Sequence, residues 1–240
     1  MNGDPATARP IFWVSRTEPD NANTATRLRE MGLCALTVPV LKPRAIRTVW
    51  PHDNPDALVF TSAHGVRFHD FNRKMLELPV FTVGDRTARA AIAAGYRDVR
   101  SASGDVRALE HLVRQEIPVG RTVFHCSARQ PAGDLVGNLK KAGYAARKIL
   151  VYETRAVPIG ELTAALVPLK SIDGILVHSP RGGRIVRHVI DGVPTDFAGS
   201  IYCISRVAAA PFAGLPDARI RIADRPDEDS MLRLFQHLSQ

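Results

Sequence analysis

The seven residues Asp56-Ala57-Leu58-Val59-Phe60-Thr61-Ser62 recur 117 positions later as Asp173-Gly174-Ile175-Leu176-Val177-His178-Ser179. Each copy runs from an acidic residue through an apolar core to a hydroxyl-bearing end. A short apolar run of this kind, bounded by turn residues, fits a strand buried on both faces of a parallel sheet. Outward from it, Val80-Phe81-Thr82-Val83-Gly84-Asp85-Arg86-Thr87-Ala88 is matched 121 positions on by Ile201-Tyr202-Cys203-Ile204-Ser205-Arg206-Val207-Ala208-Ala209. A third unit pairs Asp98–Leu109 with Ala218–Leu232. The fourth unit, Thr122–Gly143 with the tail Tyr144–Thr154, has its counterpart upstream, at Ile11–Gly32 with the tail Leu33–Leu41.

The order of four units agrees under one permutation, so one copy is assembled from both ends of the chain. The reading predicts a discontinuous α/β domain over 1–36 plus 158–240 and an inserted α/β domain over 50–146. Linkers at 37–49 and 147–157 must cross between them. Both linkers are rich in β-branched residues (Thr37, Val38, Val40; Ile149, Val151, Thr154) and are expected to pair as a two-stranded β-ladder. Pro39 suits an exposed edge there.

Extended segments are expected at Ile11–Ser15, Ala57–Thr61, Val80–Val83, Asp98–Arg100, Thr122–Cys126, Gly174–Val177, Ile201–Ile204 and Arg219–Ile222. Between them, Asn23–Met31, Arg86–Ala94, Ala108–Arg114, Gly133–Ala142, Arg184–Ile190 and Asp229–His237 carry apolar residues three and four apart, the helical period. Glycines 32, 95 and 143 stand where three of these helices should close. The fold class is α/β, with two similar open parallel-sheet domains.

The composition agrees with this. The 240 residues are 45% apolar and 23% charged, an ordinary globular balance. No apolar stretch is long enough to span a membrane. The N-terminal MNGDPATARP lacks a signal-peptide layout, which leads us to expect a cytoplasmic protein. Cys34, Cys126 and Cys203 lie far apart inside apolar stretches, show no metal spacing and read as buried reduced thiols. The net charge of +8 implies an anionic partner. The basic residues are scattered and aromatics are only 6% of the chain, so a small polyanion ranks above nucleic acid.

Two lobes joined by two strands leave a cleft, and ligands of open parallel sheets sit beyond the carboxyl ends of the strands. The strand ends of the inserted domain supply Ser62, His64, Gly84, Thr87, Ser101, Ser127 and Arg129. Those of the other domain supply Ser15, Arg16, Ser179, Arg181 and Ser205. Hydroxyls, Arg and backbone N–H groups at helix starts suit carboxylate or phosphate; the alternative is that the Ser, Thr and Asp side chains only cap helices. The chain has no GxGxxG, no GxxxxGK[ST] and no GxSxG. Its histidines have no metal spacing, and His125 and His178, inside apolar runs, read as satisfied neutral side chains.

Several motifs resemble the uroporphyrinogen-III synthase family. They are Val14-Ser15-Arg16, Asp56–Ser62, Val83-Gly84-Asp85-Arg86-Thr87-Ala88, Gly133-Asp134-Leu135 with Leu139 and Gly143, Val151-Tyr152-Glu153-Thr154, Val177-His178-Ser179-Pro180-Arg181 and Arg225-Pro226-Asp227-Glu228. The set runs in order from Pro10 to Leu238. The resemblance implies a cofactor-free, metal-free lyase of tetrapyrrole biosynthesis. It would close hydroxymethylbilane with loss of water and inversion of ring D through a spiro-pyrrolenine. The resemblance points to Tyr152 as the acid and to Thr87, Ser62 and Ser179 as contacts for substrate carboxylates. The chain departs from the pattern at Ser205-Arg206-Val207-Ala208, where many members carry threonines, and at His64, often Arg or Asn. A monomer with a small-molecule substrate, without nucleic-acid or membrane partners, is expected. The second class is a non-enzymatic two-lobed cytoplasmic binder of a small polyanion.

Overall fold

A computed structural model describes residues 9–70, 73–131, 133–166, 171–192 and 197–236. The strands are β1 Ile11–Val14, β2 Cys34–Thr37, β3 Leu41–Ala45, β4 Ala57–Phe60, β5 Val80–Thr82, β6 Val99–Ser101, β7 Thr122–Ala128, β8 Ala145–Ala156, β9 Gly174–Val177, β10 Ser200–Cys203 and β11 Ile220–Ile222. The helices are α1 Asp20–Glu30, α2 Ala63–Phe68, α3 Asp85–Ala93, α4 Val106–Glu116, α5 Leu135–Lys141, α6 Ile159–Ala165, α7 Pro180–Gly192, α8 Arg206–Ala209 and α9 Glu228–Arg233. The helix expected over Asp229–His237 ends at Arg233, and His237 lies outside the described residues. Three helices escaped the periodicity, α2, α6 and α8, with six, seven and four residues.

The chain divides into two compact units, 1–42 with 155–240, and 43–154. The first has a five-stranded sheet in the order β11-β10-β9-β1-β2, the second a six-stranded sheet in the order β3-β8-β7-β4-β5-β6. Apart from the edge strand β3, the two orders superpose when β9, β10, β11, β1 and β2 are set against β4, β5, β6, β7 and β8. That is the permutation that the repeat predicts, and the pairs β1–β2, β1–β9, β9–β10, β10–β11, β4–β5, β4–β7, β5–β6 and β7–β8 are parallel.

Each sheet is buried on both faces, which is why its strands read as unbroken apolar runs. In β4, Ala57 and Val59 enter one core cluster, Leu58 and Phe60 another on the opposite face. In β1, Trp13 faces one cluster while Phe12 and Val14 face another. Each fully buried side chain of this size contributes roughly 1.5–3 kcal/mol through lost water contact. Gly174 stands where the other copy has Ala57, because a Cβ there would come within 2.6 Å of the Tyr202 ring. Gly32 and Gly143, equivalent in the repeat, both take positive φ (81° and 88°) just after α1 and α5.

The linkers pair, with a difference from the expected simple ladder. The Val157 N–H donates to the Val40 carbonyl and the Ile46 N–H to the Val151 carbonyl, an antiparallel register that joins β3 to β8. β8 also pairs in parallel with β7 from Ala145 to Tyr152, so the ladder is the edge of the six-stranded sheet. Pro39 falls in the connection between β2 and β3, while Pro43 lies in the edge strand, where a missing N–H costs no ladder bond. No helix among the described residues is long and apolar enough to cross a membrane.

Candidate functional site

The β7–β8 register breaks at one place that matters chemically. Ser127 pairs with Leu150, but Ala128 pairs with Tyr152, so Val151 is an extra residue on β8. A bulge of this kind turns the following side chain to the other face. Val151 and Tyr152, although consecutive, accordingly both join the core cluster that contains Phe60 and Phe124. The Tyr152 side chain lies 5.7 Å from the His64 ring and 5.9 Å from that of Phe68, centroid to centroid. His64 stacks on Phe68 at 6.1 Å.

Ser62 links this group to its helix. Its Oγ accepts the His64 N–H at 3.2 Å and caps α2, and a hydrogen bond joins its hydroxyl to the Tyr152 phenol. Tyr152 is 7% exposed, and burial raises its pKa above the ordinary value, with the Ser62 bond acting the other way. The phenol therefore keeps its proton at neutral pH. Gly65 lets α2 lie this close to the sheet: a Cβ there would come within 2.7 Å of the Cys126 carbonyl.

The other strand-end residues of this unit have different surroundings. Gly84 precedes α3 with extended backbone, and a Cβ on it would meet nothing within 4 Å. Thr87 is buried in the first turn of α3. Ser101 donates to Asp85 at 2.6 Å, and Ser103 joins the same oxygen at 2.9 Å; these hydroxyls hold the Asp85 carboxyl below its usual pKa. Ser127 is buried, and its hydroxyl donates to the Ala128 carbonyl at 3.1 Å. Arg129 pairs with Glu153 at 3.2 Å. His125 is buried against Thr61 at 3.0 Å, and burial lowers its pKa to about 4, so it is the neutral side chain its apolar run predicts.

In the other unit, Ser15 is buried with its hydroxyl on the Leu176 carbonyl at 2.6 Å. Arg16 reaches Glu228 at 2.6 Å and Asp20 at 3.1 Å. Thr24 donates to the same Glu228 carboxylate, and His178 Nε2 lies 3.2 Å from it. Burial alone would raise the Glu228 pKa, but the bonds from His178 and Thr24 and the Arg16 charge hold it at about 2. Burial lowers the His178 pKa. Its Nδ1 is buried with no hydrogen-bond partner, so the expectation of a fully satisfied histidine is corrected: only Nε2 is satisfied. Ser179 caps α7, accepting the Gly182 N–H at 3.0 Å, and Arg181 is half-buried in the first turn of that helix. Ser205 caps α8, accepting the Ala208 N–H at 3.3 Å. The capping alternative is thus realised at Ser62, Ser179 and Ser205. Among the described residues no three His, Cys, Asp or Glu side chains gather as a metal site requires.

Residues 22–233 match the family described as uroporphyrinogen-III synthase HemD. The chain belongs to the uroporphyrinogen-III synthase family. Its fold is that of the uroporphyrinogen-III synthetase from Helicobacter pylori, at 18% identity and a TM-score of 0.65, covering 96% of this chain and 99% of that one. A mutant uroporphyrinogen III synthase from the extremely thermophilic bacterium Thermus thermophilus matches at 16% identity and a TM-score of 0.53, covering 95% and 98% of the two chains. No curated protein matches by sequence. Membership in this synthase family places the chain in tetrapyrrole biosynthesis and does not favour the non-enzymatic binder.

Three features of the structure were not legible in the sequence. The bulge at Val151 leaves no mark in a run of alternating residue types. Phe68 sits in a helix too short for periodicity. Glu228 was visible as the last residue of the motif Arg225-Pro226-Asp227-Glu228, but not its bonds to Arg16, Thr24 and His178, which bring together three distant parts of the chain.

Proposed function

We propose that this chain cyclises hydroxymethylbilane to uroporphyrinogen III as a carbon–oxygen hydro-lyase, with Tyr152 as the acid that assists departure of the terminal hydroxyl. The observation that carries the assignment of Tyr152 is its placement: a bulge turns a protonated, nearly buried phenol beside His64 and Phe68, with Ser62 on its oxygen. The ring A pyrrole pushes its nitrogen electrons toward the hydroxymethyl carbon. The C–O bond breaks, and the departing hydroxide takes the Tyr152 proton and leaves as water. The Ser62 hydroxyl stabilises charge that develops on the phenol oxygen.

The resulting azafulvene carbon forms a bond to the substituted position of ring D, giving the spirocyclic pyrrolenine. Fragmentation and reclosure at the other position invert ring D, and loss of a proton restores the pyrrole. Positioning carries much of the acceleration, since spiro attack must outrun direct closure to the type I isomer. The open backbone at Gly84, together with Thr87, Ser179, Arg181 and Ser205, receives substrate carboxylates in this reading. Ser15, Arg16 and Ser127 are held by protein partners in the structure and brace the strand ends. We further assign the chain to the cytoplasm, as a monomer with no resident cofactor.

The test is direct. Protein treated with a chelator and freed of nucleotide is incubated with hydroxymethylbilane, and the porphyrin isomers are resolved after oxidation. The expected product is mainly type III; product dominated by type I overturns the assignment.

A further inference from the structure

At the carboxyl ends of β10 and β11 lies a pocket of about 420 Å³, lined by Ile204, Ser205, Arg206, Ile222, Ala223, Asp224 and Pro226. It belongs wholly to the unit formed by 1–42 and 155–240, and its volume is in the range of small-molecule sites, roughly 300–1,000 Å³. Arg206 is the one cation among its lining residues. It is exposed, and no hydrogen bond or ion pair ties its guanidinium to another described residue. The nearby Arg225 is engaged differently, with Asp227 at 3.4 Å. Asp224 is also exposed and has no ion-pair partner among the described residues.

We infer that this pocket seats one pyrrole ring of the substrate, with Arg206 holding a ring carboxylate and Asp224 accepting the ring N–H. The inference rests on the function proposed above. The chemistry of the walls argues for it. Ile204, Ile222, Ala223 and Pro226 give apolar surface for a flat ring. A guanidinium is the preferred partner for a carboxylate because it donates two parallel hydrogen bonds. The lone carboxylate among the lining residues would repel a second acid group, and suits an N–H donor instead. A pyrrole carrying acid side chains combines a flat apolar ring, a carboxylate and an N–H donor. Arg206 thereby supplies, through a side chain, a contact at the place where this sequence departs from the threonines of its family.

The experiment compares wild type with Arg206→Gln, Arg206→Lys and Asp224→Ala in two assays, after thermal melting has shown that each variant folds. Both side chains are exposed, so the folds should survive. In the first assay, hydroxymethylbilane turnover, Arg206→Gln should raise KM about tenfold or more, as loss of a charged hydrogen bond does, with kcat within about threefold. Arg206→Lys should recover part of the loss, and Asp224→Ala should raise KM about fivefold. An unchanged KM in Arg206→Gln overturns the subsite. A lowered KM in Asp224→Ala shows that Asp224 only repels carboxylates and overturns its assigned part. The second assay uses a free pyrrole bearing one acetate and one propionate, followed by NMR at the Arg206 side-chain N–H. Binding that shifts this signal in wild type and is lost in Arg206→Gln supports the subsite, and absence of binding to wild type at millimolar probe counts against it. Should wild type yield no type III product, the proposed reaction fails, and the probe alone still decides whether the pocket takes a pyrrole acid.

Discussion

Tyr152 illustrates how a single residue acquires a chemical role from its backbone. In a regular strand it would point to the face opposite Val151. The extra residue in the ladder puts both side chains on one face, beside His64 and Phe68. Tyr152→Phe keeps the ring and its packing and removes only the proton and the Ser62 bond. The single-turnover rate should fall about 10²-fold, the lower range for a positioned acid, with little change in melting temperature. A rate within a fewfold of wild type would assign the residue to packing instead. Gly84 provides the complementary test. Its backbone is extended and a Cβ would meet nothing, so Gly84→Ala should leave stability unchanged. If a substrate carboxylate approaches this backbone, KM rises several-fold; if KM does not move, Gly84 is no contact. The identity of Tyr152 was legible in the sequence through the motif Val151-Tyr152-Glu153-Thr154, but its orientation was not. A bulge depends on how β8 pairs with β7 across the α5 crossover, and no pattern within the strand encodes it.

At the scale of elements, the Glu228 carboxylate ties α9 to the end of β1 and to α1 through Arg16 and Thr24, and to the end of β9 through His178. Its native pKa of about 2 lies below the roughly 4.3 of an unfolded Glu. The group therefore stabilises the fold fully above its unfolded pKa, and the contribution disappears as the pH falls toward 2. Glu228→Gln should destabilise by about 2 kcal/mol at pH 7, since the carboxylate is only partly shielded from water. Urea titrations at a series of pH values would read this difference. It should be constant above about pH 5 and shrink below about pH 4.5; a difference independent of pH down to 3 would show that the ion pairs contribute nothing. His178 acts in the same direction at higher pH. Burial depresses its pKa below 6.5, so its neutral state favours the fold above that value, and the advantage is lost as the pH falls through the native pKa. The elements themselves were largely legible: strands and long helices stand where alternating apolar runs and helical spacing put them. Missing were α2, α6 and α8, whose six, seven and four residues complete fewer than two turns. In α2 the close approach of Gly65 to Cys126 takes the place of the apolar stripe that docks a longer helix.

For the whole molecule, the repeat has a consequence that the individual motifs do not. One unit is continuous, 43–154, and the other is interrupted by it, yet their sheets share one strand order. The antiparallel register that pairs Val40 with Val157 and Ile46 with Val151 sets Lys42 opposite Arg155. A two-residue Asn-Gly turn can close antiparallel strands at such a pair. Joining Lys42 to Arg155 in this way should convert the interrupted unit into a single continuous chain with its own core on both faces of the five-stranded sheet. The excised 43–154 segment keeps the clusters around β4, β5 and β7. Each piece should therefore show a cooperative thermal transition and dispersed amide resonances, and neither should direct hydroxymethylbilane toward the type III isomer. Should the rejoined chain lack a cooperative transition while 43–154 folds, the interrupted unit depends on its insert, and the equivalence of the two copies ends at strand order.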